Sequence, residues 1–309
     1  MRYFDSDSIG NSVPINSWVK AMEQAFIDTA KGTIEVPERM HIDRGPNTLL
    51  LMPCFASNYF STKLVSVYPE NLKNNEPMIY GSVVLNDGKS GKPLAVLDGS
   101  KLTAMRTAAV GAVGVKYLAP ENATSLGIVG LGIQGFHQAL FACQQRNITS
   151  LRIIDRSRKI MDRFTERFRA FYPGIEVIPC ESTMELCKAS EIIITATGSH
   201  IPVVPARDHW WKDKTLIGIG SYKKDMREFP DAFFKDLKQV FVDTPVALKE
   251  TGDLIEPLRK GLLKESQIHP LWELILNRVT AVKGTRFFKS VGMAAFDLYG
   301  AKLVYESQQ

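Results

Sequence analysis

From about residue 121 onward, short apolar runs alternate with segments of helical periodicity. SLGIVG is followed by the helix-patterned GFHQALFACQQRN, LRIID by a long amphipathic stretch, IEVIP by a further helical stretch, and EIIITAT and TLIGIG come after. Such alternation predicts right-handed βαβ crossovers feeding one parallel sheet, an α/β fold. The first 120 residues follow another pattern. A helix is expected around VKAMEQAFIDTAKG, and MIYGSVVLND and PLAVLD flank the turn-rich DGKSGK as the arms of a hairpin, so this half reads as α+β. GSKLTAMRTAAVGAVGVKYLA then predicts a strong helix ending before APENAT, a hinge between domains. The closing stretch KSVGMAAFDLYGAKLVYE is helical in pattern and is expected to pack back on the first half. No internal repeat or low-complexity segment interrupts this order.

At 309 residues and 45% hydrophobic content, the chain can bury the cores of two domains. No run approaches the ~20 apolar residues of a membrane helix, and MRYFDSDSIG lacks the layout of a signal peptide, so a cytoplasmic protein is expected. Cys54, Cys143, Cys180 and Cys187 form no CxxC pair, which suggests neither a metal site nor a redox dithiol. The net charge of +5 is spread through mixed-sign runs such as RSRKIMDRFTERFR, the mark of solvated helix faces and not of a nucleic-acid footprint. A weak positive excess does suit small anionic ligands.

Gly130, Gly132 and Gly135 form GLGIQG, directly after an apolar strand and directly before a helical pattern. In that context the motif reads as a dinucleotide cradle: glycines for the tight turn and close approach, with the helix start around Ile133 and Gln134 turned to a pyrophosphate. Twenty residues beyond Gly135, Asp155 closes the next strand where an adenosine ribose would bind. Its charge repels a 2′-phosphate and favours NAD over NADP, although Arg156 and Arg158 follow at once. The plainer alternative is a glycine-rich turn of another doubly wound protein, with Asp155 a solvated strand end.

Among the charges of the first half, Arg106 stands out. Its helical neighbours Leu102, Thr103, Ala109 and Val110 cannot neutralise it, so a distant acid or a ligand carboxylate must meet it unless it reaches water. Lys63 sits in the alternating TKLVSVYPEN, either facing solvent or desolvated in a site suited to proton transfer or carboxylate pairing. Arg39 in VPERMHID has Glu38 and Asp43 as ordinary partners, and His41 is by default a satisfied histidine.

Taken in order, PERM, LMPCF, TKLVSVYPEN, GSVVLND, GKPLAVLDGSKLTAMRTAAV, GLGIQG, TGDL and FFKSVG resemble the ornithine cyclodeaminase and mu-crystallin family over nearly the whole chain. The resemblance implies a Rossmann NAD-binding domain at 121–284 inserted into a substrate-binding and dimerisation domain of 1–120 plus 285–309. It also implies a homodimer. Carried over by position, Arg39, Lys63 and Arg106 look like substrate-carboxylate and proton-transfer residues, and Thr107 like a cofactor phosphate contact. Lys289 and Ser290 resemble the segment near the nicotinamide, with Asp253 a further candidate. One departure is Tyr222, in GIGSYKKDMREFP, which stands where cyclodeaminases carry an aspartate for the substrate's amine. The expected activity is therefore NAD(H)-dependent amino acid dehydrogenase or ketimine reductase chemistry on a small amino or imino acid. A strict ornithine cyclodeaminase and a ligand-binding protein with little turnover are the alternatives.

Overall fold

The computed structural model describes residues 1–11, 13–74, 76–207 and 209–308. The first unit begins with β1 (Arg2–Phe4), α1 (Ser6–Asn11) and α2 (Ile15–Ala30). Trp18, Val19, Met22, Ala25 and Phe26 recur at helical spacing and form the buried stripe of α2. Five strands follow: β2 (Met40–Arg44), β3 (Asn47–Phe55), β4 (Tyr59–Val67), β5 (Ile79–Asp87) and β6 (Pro93–Asp98). They form a six-stranded sheet in the order β1-β6-β5-β4-β3-β2, antiparallel throughout except for the parallel β1 edge. The expected hairpin is β5 and β6. Its turn is held by Asp87, whose Oδ1 accepts from the amides of Lys89 and Ser90.

Helix α3 (Gly99–Leu118) leads into the second unit, which contains β7 (Ser125–Val129), α4 (Ile133–Cys143), β8 (Ser150–Ile154), α5 (Arg158–Phe171), β9 (Glu176–Pro179), α6 (Thr183–Ala189), β10 (Ile192–Thr195) and β11 (Thr215–Gly218). It continues through α7 (Asp231–Lys235), β12 (Val240–Val242), α8 (Ala247–Glu250), α9 (Gly252–Arg259), β13 (Ile268–Pro270), α10 (Leu271–Ile275) and β14 (Arg286–Lys289). All eight strands are parallel, in the order β13-β12-β14-β11-β10-β7-β8-β9. The sheet is buried on both faces: β7, β10, β11 and β12 are near-continuous apolar runs, as the crossover pattern requires. The chain then returns to the first unit as α11 (Ala294–Glu306), which packs against α2, β3, β4 and β5.

Two boundaries differ from the sequence expectation. The compact units part at Ala109/Val110 and Gly292/Met293, not at 120/121 and 284/285. The later half of α3 belongs with the parallel sheet: Gly114 lies against Phe288 and Ile217, and the Leu118 carbonyl accepts from Thr215 Oγ1 and from Arg286. Residues 286–289 are likewise a strand between β11 and β12, so KSVG is no part of the final helix, and Gly292 turns the chain at φ +84°. Among the described residues no helix is long and apolar enough to cross a membrane.

Candidate functional site

In the second unit a cavity of about 880 Å³ opens at the carboxyl end of β7, where the strand order reverses between β10 and β8. Its floor is Gly130, Leu131 and Gly132; Asp155, Arg156 and Thr183 form one wall, and residues 196–203 the other. Gly130 takes φ +89°, a conformation that disfavours any side chain. A Cβ on Gly135 would lie 1.9 Å from the Gly130 carbonyl oxygen, so the turn closes on the helix only with glycine there. Gly132 opens α4 without a side-chain cap, and the first amides of that helix have no carbonyl a turn earlier to receive them. Free amides and the positive helix end favour an anion at this spot.

Asp155 is held by two backbone donors, Leu131 N to Oδ2 at 2.9 Å and Ser157 N to Oδ1 at 3.2 Å. Each oxygen keeps acceptor capacity, so the carboxylate is oriented and still able to receive ribose hydroxyls. Exposed Arg156 stands beside it on the same wall. Ile133 is largely exposed at the start of α4, and the Gln134 side-chain oxygen is buried without a hydrogen bond. The cradle fits a dinucleotide.

A cluster of charge lies in the first unit. Along β4 the pattern alternates so that Ser61, Lys63 and Val65 all face the core. Lys63 is thus the one cation on an otherwise uncharged strand face, and its Nζ donates to Thr103 Oγ1 at 2.6 Å and approaches Asp297 Oδ1 at 3.3 Å. Arg106, one turn after Thr103 on α3, donates its Nε to the same Asp297 oxygen at 3.1 Å. Both cations are more than nine-tenths buried and Asp297 is fully so. Burial pulls the Lys63 ammonium down to about 8; Asp297 holds it up against that, and the charges of Arg106 and Arg39 weigh on the same side as burial. Two buried cations thus share one carboxylate, a local excess of positive charge that suits an incoming anion.

The structure places the remaining predicted residues elsewhere. Arg39 is half-buried just ahead of β2, near enough for its charge to act on Lys63. Thr107 is buried on α3. Lys289 is fully buried, its Nζ 3.7 Å from Asp253 Oδ2 and 4.0 Å from Glu228 Oε2, and Ser290 Oγ donates to Asp243 Oδ2 at 2.6 Å. Neither side chain reaches the cavity wall. Tyr222 lies partly exposed on the loop after β11, its hydroxyl pushed further up by burial, with Lys223 above its ring. Two buried carboxylates carry little sign of their role in the sequence. Asp297 is the anion for Lys63 and Arg106, and its one signal is a lone acid in an apolar helical run. Glu228 braces the cavity, its Oε1 accepting from Thr197 N and Oγ1 and its Oε2 from the amides of Gly220 and Ser221.

With this geometry the comparisons with known proteins agree. A profile of the ornithine cyclodeaminase/mu-crystallin family matches residues 5–309. The chain belongs to that family. It is 34% identical over 269 residues to a Delta(1)-pyrroline-2-carboxylate reductase of Bacillus cereus, covering 84% of this chain and 81% of the relative. The rat (Rattus norvegicus) ketimine reductase mu-crystallin is 33% identical over 262 residues, covering 83% and 79%. Among solved structures, the Delta(1)-pyrroline-2-carboxylate reductase of Thermococcus litoralis, in complex with NADH and L-proline, superposes with a TM-score of 0.91 at 33% identity, over 99% of this chain and 97% of that one. These relatives fall in the reductase branch anticipated from the loop after TLIGIG.

Proposed function

We propose that this chain is an NADH-dependent imine reductase acting on the carbon–nitrogen double bond of a small α-imino acid, with Δ1-pyrroline-2-carboxylate as the first substrate to test. The observation that carries the reading is the buried Lys63–Arg106–Asp297 cluster, in which two cations share one carboxylate and an α-carboxylate completes the charge. The named relatives, two reductases and a ketimine reductase, support the reaction class. Residues of the GLGIQG turn and Asp155 would hold the dinucleotide, and a reduced nicotinamide bound there supplies the hydride.

In this reading Arg106, helped by Arg39, fixes the substrate carboxylate, since a guanidinium meets a carboxylate through two parallel hydrogen bonds. Lys63, close to the pH at which it exchanges its proton, gives that proton to the imine nitrogen. Tyr222 suits the same direction, because a phenol raised above its usual range is a poor base for activating an ornithine amine yet can donate a hydrogen bond. The reading includes a cytoplasmic enzyme, in keeping with four unpaired cysteines.

It also includes a homodimer. On the sheet face opposite Lys63, Met40, Ile42, Leu49, Phe55 and Tyr80 are exposed together, an apolar surface that an isolated antiparallel sheet would cover with polar side chains. Sedimentation should give twice the 34.5 kDa chain mass.

The direct test mixes purified protein with NADH and Δ1-pyrroline-2-carboxylate and follows the nicotinamide absorbance. NADH consumption with stoichiometric L-proline is expected. Rapid proline and ammonia from ornithine with catalytic NAD would instead make the chain a cyclodeaminase, and ligand binding without either signal a binding protein.

A further inference from the structure

Lys63 and Arg106 converge on one oxygen of one side chain. Asp297 Oδ1 serves both cations, while Oδ2 of the same carboxylate is buried without a hydrogen bond. Helix α11 presents this acid from a run in which every residue from Ala294 to Ala301 is buried. The cost of burying such a carboxylate is offset by the cations it meets. Arg106 meets it through Nε, and no other hydrogen bond or ion pair engages that guanidinium among the described residues, which leaves its terminal nitrogens available to a ligand carboxylate.

We propose that Asp297 is a positioning residue of the imino-acid site whose negative charge keeps Lys63 an ammonium, the proton donor to the imine nitrogen. This rests on the reading of Lys63 and Arg106 as substrate residues. The reduction balances simply: two electrons arrive with hydride on the imine carbon, the proton leaves Lys63 Nζ for nitrogen, and the neutral amine regains a proton from water. The charged and titratable groups that act on Lys63 are Asp297 from α11, Arg106 from α3 and Arg39 ahead of β2. Cys54 on the neighbouring β3 also feels Asp297 but is held neutral, its thiol pushed up to about 12 by burial. Only Asp297 favours the charged amine.

Asp297→Asn separates charge from shape. The amide keeps an oxygen for Arg106 Nε, whereas Lys63, left with cations alone, sheds its proton more readily. The cluster then returns to the same net charge, so carboxylate binding should change little. In Asp297→Asn, KM for Δ1-pyrroline-2-carboxylate should stay within about threefold of the unmodified enzyme, and kcat at pH 8 should fall at least about fivefold and recover in acid. Its alkaline limb should move down by about 1 to 3 pH units. Circular dichroism and NADH affinity report that both units remain folded. An unmoved limb, or a loss equal at every pH, overturns the proposal. Should the variant not fold, Lys63→Met/Asp297→Asn is compared with Lys63→Met: kcat/KM within about threefold of the single variant supports action through Lys63, and a further tenfold loss refutes it. If the unmodified protein reduces no imino acid, the functional reading fails by itself. The inference about Asp297 is then decided by the pH dependence of reductive methylation at Lys63, read by peptide mass, which should begin at lower pH in Asp297→Asn and overturns the idea if unshifted.

Discussion

Each unit buries a three-residue ionic cluster, and the two are built with opposite signs. In the first, Lys63 and Arg106 share Asp297, two cations on one anion. In the second, Lys289 lies between Glu228 and Asp253, one cation between two anions. The acids of the second cluster are occupied by the chain itself: Glu228 receives the amides of Thr197, Gly220 and Ser221, and Asp253 those of Glu228 and Phe229. Lys289 balances charge whose hydrogen bonds already tie together the loops after β10 and β11. Surplus cation therefore marks a place for a ligand, and surplus acid tied down by several backbone donors marks architecture, even with Asp253 Oδ2 left without a hydrogen bond. Burial and distance alone do not separate the two.

The sharpest way to break this contrast is Arg106→Leu. Losing a desolvated, charge-assisted clamp of about 3 kcal/mol should lower kcat/KM by roughly 100-fold or more, with NADH affinity unchanged, and Arg106→Lys should recover little of it. A Leu variant that turns over normally would make the first cluster as architectural as the second. Glu228→Gln is the converse experiment. It should lower stability by about 3 kcal/mol, seen as a Tm drop on the order of 10 °C, because one carboxylate oxygen becomes an NH2 that faces the backbone amides Glu228 now receives. Full stability with abolished activity would move the second cluster into the reactive site.

A smaller effect concerns the cavity that Glu228 braces. The unmodified protein should bind NADH more tightly than NADPH, and Asp155→Ser should narrow that ratio by about tenfold, measured by fluorescence titration. Equal affinities at the outset would mean that Arg156 captures a 2′-phosphate. The smallest effect is read in the unmodified enzyme. Because Lys63 must be protonated to donate, imine reduction should be full below the range where it titrates, about 8, and decline above it. A rate flat through pH 9 would remove Lys63 as the donor.

Much of this molecule is written locally. The period-two run around Lys63, the helix around Arg106 and the GLGIQG turn between strand and helix all formed where their spacing places them. Arg106 even announced that it needed a partner, since no acid lies within a helical turn of it. What spacing cannot convey is the partner's identity: Asp297 is 191 positions from Arg106 and 234 from Lys63, on a helix whose pattern looks merely apolar. The surroundings of Lys289 were hidden for the same reason. Its neighbours Glu228 and Asp253 come from separate loops of the parallel unit, so a lysine in a family-like segment carried no sign of being sealed among acids. The domain boundary was also hidden, because α3 reads as one uninterrupted helix while its two halves belong to different cores.

The return of the chain as α11 has a consequence for the order of events on the ribosome. Synthesis delivers β4 and α3 early, then the whole parallel unit, and only afterwards the helix carrying Asp297. The parallel unit is contiguous in sequence and can condense as soon as it emerges. The first unit cannot close its core, or give Lys63 and Arg106 their counter-charge, until the parallel unit has been made and α11 follows it. Nascent chains therefore pass through a stage in which two cations destined for burial have no anion to meet, and the last helix acts as the latch that makes the first unit a folded body at all.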